Sequence, residues 1–280
     1  MKINPNGEIY IPFEKDMEKA FKDTTHLAIS AHQDDVEIMA QHGILTCFGK
    51  EDQKFSAVVC SDGAGSPRSG IYADYSNEEM MAVRRIEQKK AACVGNYASL
   101  FLLNYPSSII KDGLQRQLIE DLKTILLELK PEVIYTHNPG DKHDTHVAVC
   151  LRVITALKEI SRTYRPKALY GCEVWRSLDW INDNEKEVLD VSGHPALRAS
   201  LLGVFDSQIA GGKRYDLAAQ GRFLSNATFF ESHATDDMDA ASYAIDLMPL
   251  IDGADAATYM REYIQRFATD VEDKINRMGG

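Results

Sequence analysis

Three residues of types that can bind metals or move protons, His32, Asp34 and Asp35, follow directly on the apolar run HLAISA at 26–31. A second group, THNPGDKHDTH at 136–146, adds Asp141, His143, Asp144 and His146 more than a hundred residues later. A catalytic zinc takes three protein ligands from His, Asp or Glu and leaves one position for water. His32 and Asp35 are three apart, and at a helix start that spacing puts both on one side. His143 and His146 repeat it, so four candidates stand for three positions, and one of them is left to face the substrate. Asp34, as the neighbour of Asp35, points elsewhere. A carboxylate beside a metal-bound water is the geometry of a general base in metal-assisted hydrolysis. A histidine across the substrate carbonyl could donate to the oxyanion or protonate the leaving amine. Either motif alone is weak, because Asp is an ordinary cap at helix starts. Their convergence is what carries a metal site.

Convergence requires a particular scaffold. Short apolar runs at 27–31, 55–61, 100–103, 133–137 and 168–175 alternate with helical patterns at 36–48, 78–94, 114–129 and 146–159. In the third of these, Leu118, Leu122, Ile125, Leu126 and Leu129 repeat at i, i+3 and i+4. Strand–helix alternation predicts an α/β, Rossmann-like, doubly wound and mostly parallel sheet. The expected order of the five strands is 3-2-1-4-5, reversing between the first and the fourth. Ligands bind in the crevice outside the carboxyl ends of strands at such a switch point, and the two motifs sit at those ends. Past 175 the pattern weakens: a possible edge strand at 188–191, helices near 195–205 and 214–226, and an amphipathic helix at 256–278. With no repeat and no low-complexity linker, one domain over 1–280 is expected, with a core at about 24–235 and a C-terminal helical extension at about 236–280.

Bulk properties narrow the function. A net charge of −11 argues against nucleic acid, whose phosphates need a basic surface, and against anionic membranes. No apolar h-region and no stretch of about 18 apolar residues occurs. Cys47, Cys60, Cys93, Cys150 and Cys172 are scattered, without CxxC or a disulfide frame, as in a cytoplasmic protein with reduced thiols. Assembly with copies of itself is left open.

The sequence resembles the PIG-L/LmbE family of zinc-dependent deacetylases, whose signature is A-H-P-D-D-x-E after the first strand and H-x-D-H before a later helix. Ala31-His32-Gln33-Asp34-Asp35-Val36-Glu37 matches all but the proline, and His143-Asp144-Thr145-His146 matches the two histidines. Ser61-Asp62-Gly63, Arg84-Arg85-Ile86-Glu87 (like the family's R-x-x-E) and Ser207-Gln208 extend the likeness over roughly 26–230. The resemblance implies one Zn2+ per chain held by His32, Asp35 and His146. It makes Asp34 the general base, and His143 the group that stabilises the oxyanion and protonates the amine, as an imidazolium. Arg84 would contact substrate, a small molecule containing an amino sugar such as an N-acetylglucosamine conjugate, from which the N-acetyl group is removed.

Three positions depart from the pattern. Gln33 stands for proline, and Thr145 stands for aspartate, leaving Asp141 or Asp144 to tune His143. Ser107 stands where many relatives carry Asp. The rival readings are a non-catalytic Rossmann-like module binding a sugar or nucleotide, and a metal-dependent phosphoesterase, which would need more carboxylates for a second metal.

Remaining features have plainer readings. SDGAGSPRSG at 61–70 lacks the Gly-Lys-Ser/Thr ending of a phosphate loop and is expected to rim the site, with Asp62 and Arg68 as substrate contacts. His42 is expected to be structural, His137 to hydrogen-bond within its loop, and His233 to be a satisfied polar residue. Glu37 either faces the site from behind or only favours the helix N-terminus. Trp175 and Trp180 are core residues by default, or a sugar-stacking wall.

Overall fold

The computed structural model describes residues 1–280. Eight strands form one sheet: β1 (Glu8–Tyr10), β2 (Thr24–Ser30), β3 (Lys54–Ser61), β4 (Ser99–Tyr105), β5 (Val133–His137), β6 (Ala168–Cys172), β7 (Glu187–Asp190) and β8 (Ala241–Asp246). Their spatial order is β1-β4-β3-β2-β5-β6-β8-β7. The inner five, β4-β3-β2-β5-β6, are parallel and reproduce the expected 3-2-1-4-5 order. β2 lies between β3 and β5, with Ile29 opposite Val58 on one side and Thr136 on the other. The reversal point is therefore where the two motifs end their strands.

Period-2 alternation explains the layers. Leu27, Ile29, Val58, Cys60, Phe101 and Leu103 face one core, and Ala28, Ala57, Val59, Leu100 and Leu102 face the other. The chain before and between the first strands supplies helices α1 (Met17–Lys22), α2 (Asp35–Met39) and α3 (Gln41–Cys47). Next come α4 (Asn77–Val94), α5 (Ser107–Lys111), α6 (Gln117–Leu129) and α7 (Asp144–Ile160). Of these, α6 and α7 bury their stripes in the first core, while α2, α3 and the Ala92 side of α4 pack on the second. Such two-sided cover is why the parallel strands read as continuous apolar runs.

Several boundaries differ from expectation. The helix expected over 36–48 is broken at Ala40 (φ −112°, ψ 24°) into α2 and α3. This bend lets α3 press so close to β5 that a Cβ on Gly43 would lie 2.5 Å from the Tyr135 ring. β6 stops at Cys172 rather than at 175. β1 joins the sheet antiparallel to β4, and the edge strand at 188–191 appears one residue earlier as β7.

The C-terminal extension needs a correction in its placement. Residues 241–246 form β8, inserted antiparallel between β6 and β7, so the extension is helical only from Met248. Short strands that pair antiparallel at a sheet's end carry no periodicity long enough to mark them. The helices of this half are α8 (Pro195–Gly203), α9 (Asp206–Ile209), α10 (Tyr215–Thr228), α11 (Met248–Ile251) and α12 (Ala256–Arg277). In α12 only Met260 and Tyr263 are buried. No helix is long and apolar enough to cross a membrane.

Candidate metal centre

His32, Asp35 and His146 meet at the carboxyl ends of β2 and β5. His32 Nδ1 lies 3.2 Å from Asp35 Oδ2 and 3.2 Å from His146 Nε2, and the third edge, His146 Nε2 to Asp35 Oδ2, is 3.3 Å. A tetrahedral ion with bonds of about 2.0–2.1 Å holds its ligand atoms roughly 3.3 Å apart. The triangle thus has the size such an ion requires. His32's backbone N–H donates to the same Asp35 Oδ2 at 2.7 Å, which fixes the carboxylate across the start of α2.

The electrostatics agree with a cation here. Burial depresses a histidine, yet Asp35 and Asp141 outweigh it and hold His146 up at about 9. Burial would raise Asp35, but His146, His32 and His137 hold it well below the ordinary carboxylate range. A buried group of this composition is stable only with positive charge inside it. These three residues fit a divalent metal.

His137, expected only to bond within its loop, is fully buried and stacks on His146 at 3.9 Å. Its Nε2 accepts from the Ala31 N–H at 2.9 Å and lies 3.5 Å from Asp35 Oδ2. With that lone pair committed to the backbone, His137 packs against His146 and Asp35 from behind. Its position at the last residue of β5 was the one signal for this role.

Asp34 is the cap residue of α2 and has left-handed backbone (φ 84°, ψ −30°), a conformation that costs about 1–3 kcal/mol outside glycine. Two partners hold it there. Its N–H donates to Gln88 Oε1 at 3.1 Å, and Arg84 Nη2 donates to its Oδ2 at 2.9 Å. Gln88 is oriented in turn, because its Nε2 donates to Glu37 Oε1 at 2.8 Å, which also accepts from Tyr97 Oη at 2.7 Å. Glu37 therefore faces away from the cavity and acts on Asp34 through Gln88. Burial, aided by Asp35, raises Asp34 to about 6 against the pull of Arg84.

Arg84 lines the cavity, but its two Nη groups are spent on the protein: Asp34 Oδ2, the Gln33 carbonyl, Glu87 at 3.0 Å and Ser207 Oγ at 3.4 Å. Glu87 also accepts from the Ser207 N–H and hydroxyl, both at 2.7 Å. The R-x-x-E pair and the Ser207-Gln208 pair form one buried brace behind Asp34.

His143 caps α7 by accepting from the Thr145 N–H through Nδ1 at 3.3 Å. That bond leaves the proton on Nε2. Burial and the adjacent His146 and His32 push His143 below its ordinary value. Three histidines share one pocket, which favours the neutral ring at His143.

Of the two carboxylates the sequence offered to tune His143, Asp141 acts on it, raising it less than burial and the neighbouring histidines lower it. Asp141 Oδ1 lies 3.6 Å from His146 Nδ1 and accepts from the His143 backbone N–H at 2.9 Å, and its Oδ2 accepts from the Trp175 N–H at 3.1 Å. It backs His146, whereas Asp144 is exposed in the first turn of α7.

A cavity of about 570 Å³ opens over the triangle. Its wall includes His32, Asp34, Asp35, His143, Trp175 and Tyr215, with Gly63, Gly65, Ser66 and Pro67 along the 61–70 loop. That loop is the expected rim, but its two proposed contacts turn away from the cavity. Asp62 Oδ1 accepts from the Ala64 N–H at 3.0 Å, and Arg68 donates to the Ala64 carbonyl and to Asn77 Oδ1 at 2.9 and 2.7 Å. Both short-range partners come from the loop's own turns, which sequence spacing does not reveal.

Gln33, in the proline position, donates to the Ser61 carbonyl at 3.1 Å and packs so tightly under the rim that a Cβ on Gly63 would lie 2.8 Å from it. Trp175 lines the cavity, while Trp180 packs toward Phe267 and His233 is exposed. His42 is structural, bonded to Tyr135 Oη at 2.8 Å.

No curated protein sequence matches the chain. Similar folds occur in the 4-carboxy-2-hydroxymuconate hydratase GalB of Pseudomonas putida (16% identity, 81% of this chain and 96% of that one, TM-score 0.61). They occur also in the N,N'-diacetylchitobiose deacetylase of Pyrococcus horikoshii (17%, 85% and 88%, TM-score 0.57). A third is the A40926 pseudoaglycone deacetylase Dbv21 (16%, 80% and 97%, TM-score 0.57). At such identities the likeness concerns the fold alone. The sequence of residues 27–157, which contains both motifs, matches the family described as PIG-L, GlcNAc-PI de-N-acetylase. Across those residues the chain is similar to that family.

Proposed function

We propose that the protein is a zinc-dependent hydrolase that removes the N-acetyl group from an amino-sugar conjugate of the N-acetylglucosamine type, with one zinc per chain on His32, Asp35 and His146. The observation that carries this reading is the ligand triangle of 3.2–3.3 Å edges beside a carboxylate, Asp34, that is buried but bonds no other ligand atom. Support also comes from the family match and from deacetylases among the relatives by fold. Five cysteines without a disulfide suit a reducing, cytoplasmic setting.

A divalent ion in the triangle supplies Lewis acidity toward the amide carbonyl and lowers the pKa of a water. The chain's residues do the rest. Arg84 engages Asp34 Oδ2, which leaves Oδ1 to take the proton of the attacking water. The Gln88–Glu37 relay holds the Asp34 backbone in its left-handed state, so that oxygen is placed before substrate arrives. The His143 Nε2–H donates to the carbonyl oxygen as it gains negative charge. The proton held by Asp34 then passes to the departing nitrogen, giving a free amine and a carboxylic acid, which loses its remaining proton to solvent.

The test is release of amine and acetate by the zinc-loaded protein from a panel of N-acetylglucosaminides, with metal per chain measured on the same sample. One ion per chain and amine release are expected. Two ions per chain with phosphoester cleavage, or binding without turnover across the panel, would replace this reading by one of its rivals.

A further inference from the structure

We infer that Gln33 is a positioning residue whose side chain sets the near end of the 61–70 rim over the cavity. Through the rim it governs how tightly substrate is held rather than the chemical step; this rests on the hydrolase reading above. Gln33 stands between the proposed ligand His32 and the proposed base Asp34, where the resembled pattern has proline. Its backbone and its side chain serve different ends. The backbone carbonyl accepts from Arg84 Nη2, which also engages Asp34. The buried side chain runs under the rim instead, where its Nε2 donates to the Ser61 carbonyl at 3.1 Å. Its Oε1 has no hydrogen-bond partner and lies 2.8 Å from where a Cβ on Gly63 would stand. The Arg84 Cβ and Cγ lie 3.1 and 3.2 Å from the same point. Gly63 is thus seated in a notch between Gln33 and the stem of Arg84.

That seat matters because of what it carries. Gly63, Gly65, Ser66 and Pro67 form the rim's share of the cavity wall. Their turn closes on Gly63 itself, whose carbonyl accepts from the Ser66 N–H at 3.1 Å. At the far end Tyr72 Oη donates to Asp206 Oδ2 at 2.6 Å, and a Cβ on Gly70 would lie 3.1 Å from the Ala210 carbonyl oxygen. The rim therefore spans two anchors. Backbone bonds from the Ser61 N–H to Ala31 and from the Asp62 N–H to Tyr105 make part of the near one, and Gln33 adds its side chain. A buried amide with an unpartnered oxygen costs stability, and the bond that offsets this goes to the rim. Proline has neither a donor for the Ser61 carbonyl nor the length to reach Gly63. The Gln33 side chain bonds neither Asp34 nor any atom of the ligand triangle, its one hydrogen bond being to Ser61. Its loss should therefore spare metal and base.

The test uses the zinc-loaded protein and two variants, Gln33→Pro and Gln33→Met, the second keeping side-chain length without the donor. Amide exchange across 61–66, read by mass spectrometry, should be about 3–10-fold faster in both. Zinc per chain should not change. For whichever N-acetylglucosaminide of the panel is turned over, KM should rise about 3–10-fold while kcat stays within about twofold. Gly63→Ala checks the contact. With Gln33 present the added Cβ meets Oε1, so the rise in KM should exceed that in the Gln33→Pro background. Equal rises in the two backgrounds, or exchange unmoved in either Gln33 variant, overturn the inference. So does loss of zinc or of kcat with KM unchanged, which would make Gln33 part of the metal motif. If Gln33→Pro does not fold, Gln33→Met decides alone. If no compound is hydrolysed, the hydrolase reading fails separately, and exchange across 61–66 still decides whether Gln33 seats the rim.

Discussion

Histidines cluster at both ends of the central strands, and His146 at one end fares oppositely to His26 and His42 at the other. Near the foot of β2, His26 and His42 flank Tyr135: His26 bonds Thr25 Oγ1 at 2.9 Å and His42 bonds the Tyr135 hydroxyl at 2.8 Å. Burial prevails there, lowering His26 to about 4 and His42 below its ordinary value. At the carboxyl ends of the strands His146 is more enclosed still, but Asp35 and Asp141 hold it at about 9. Buried histidine alone makes a neutral, satisfied packing residue. Buried histidine with two carboxylates makes a place for a cation. Glu132 and Asp190 also pull on His26 and His42, and Asp35 and Asp141 on His137 and His143, but only at His146 do the carboxylates outweigh burial.

The sharpest way to break this contrast is to remove a ligand. His146→Ala or Asp35→Ala should lose bound zinc and take amine release to assay background, whereas His42→Ala should keep a full complement. Metal retained in His146→Ala, or lost in His42→Ala, would place the site wrongly.

A smaller effect is expected from Asp34→Asn. The metal and the fold should persist, while kcat falls about 10²–10⁴-fold. Zinc loss in this variant would make Asp34 a ligand and leave the reaction without its base.

Asp141→Asn tests the carboxylate that distinguishes His146 from the foot histidines. Such a partner is worth about 10–100-fold in metal affinity, so a chelator competition should show weakening in that range. An unchanged affinity would mean that Asp35 alone sets the character of His146.

The least effect concerns the foot. His26 is held neutral in the folded state, with its value depressed from 6.5 to about 4. The unfolded chain therefore takes up that proton first. His26 contributes its full stability above the unfolded value, and the contribution fades as pH drops from 6.5 through 4. His26→Gln should flatten the thermal-stability profile across this window, with zinc content unaltered. A slope equally steep in the variant would assign acid sensitivity to another group.

The sequence by itself determined the parallel core and the whereabouts of the chemistry. Apolar runs such as Leu27–Ala31, alternating with 3.6-period helices, leave few ways to bury both faces of a sheet, and the switch point follows from that order. Residues local to one turn, such as His32 with Asp35 or His143 with His146, declared themselves by spacing. Everything that depends on partners distant in the chain was decided by the tertiary structure. That includes β8 between β6 and β7, Arg84 bracing Asp34, Gln88 holding its left-handed backbone, and Asp141 set against His146 as well as the His143 backbone. It also includes His137 stacked on His146 with its lone pair given to Ala31. Hydrogen-bond direction, burial and net charge at a site arise from groups that meet only when the sheet closes. A residue's type states what it could do, and its neighbours across the fold select which of those things it does.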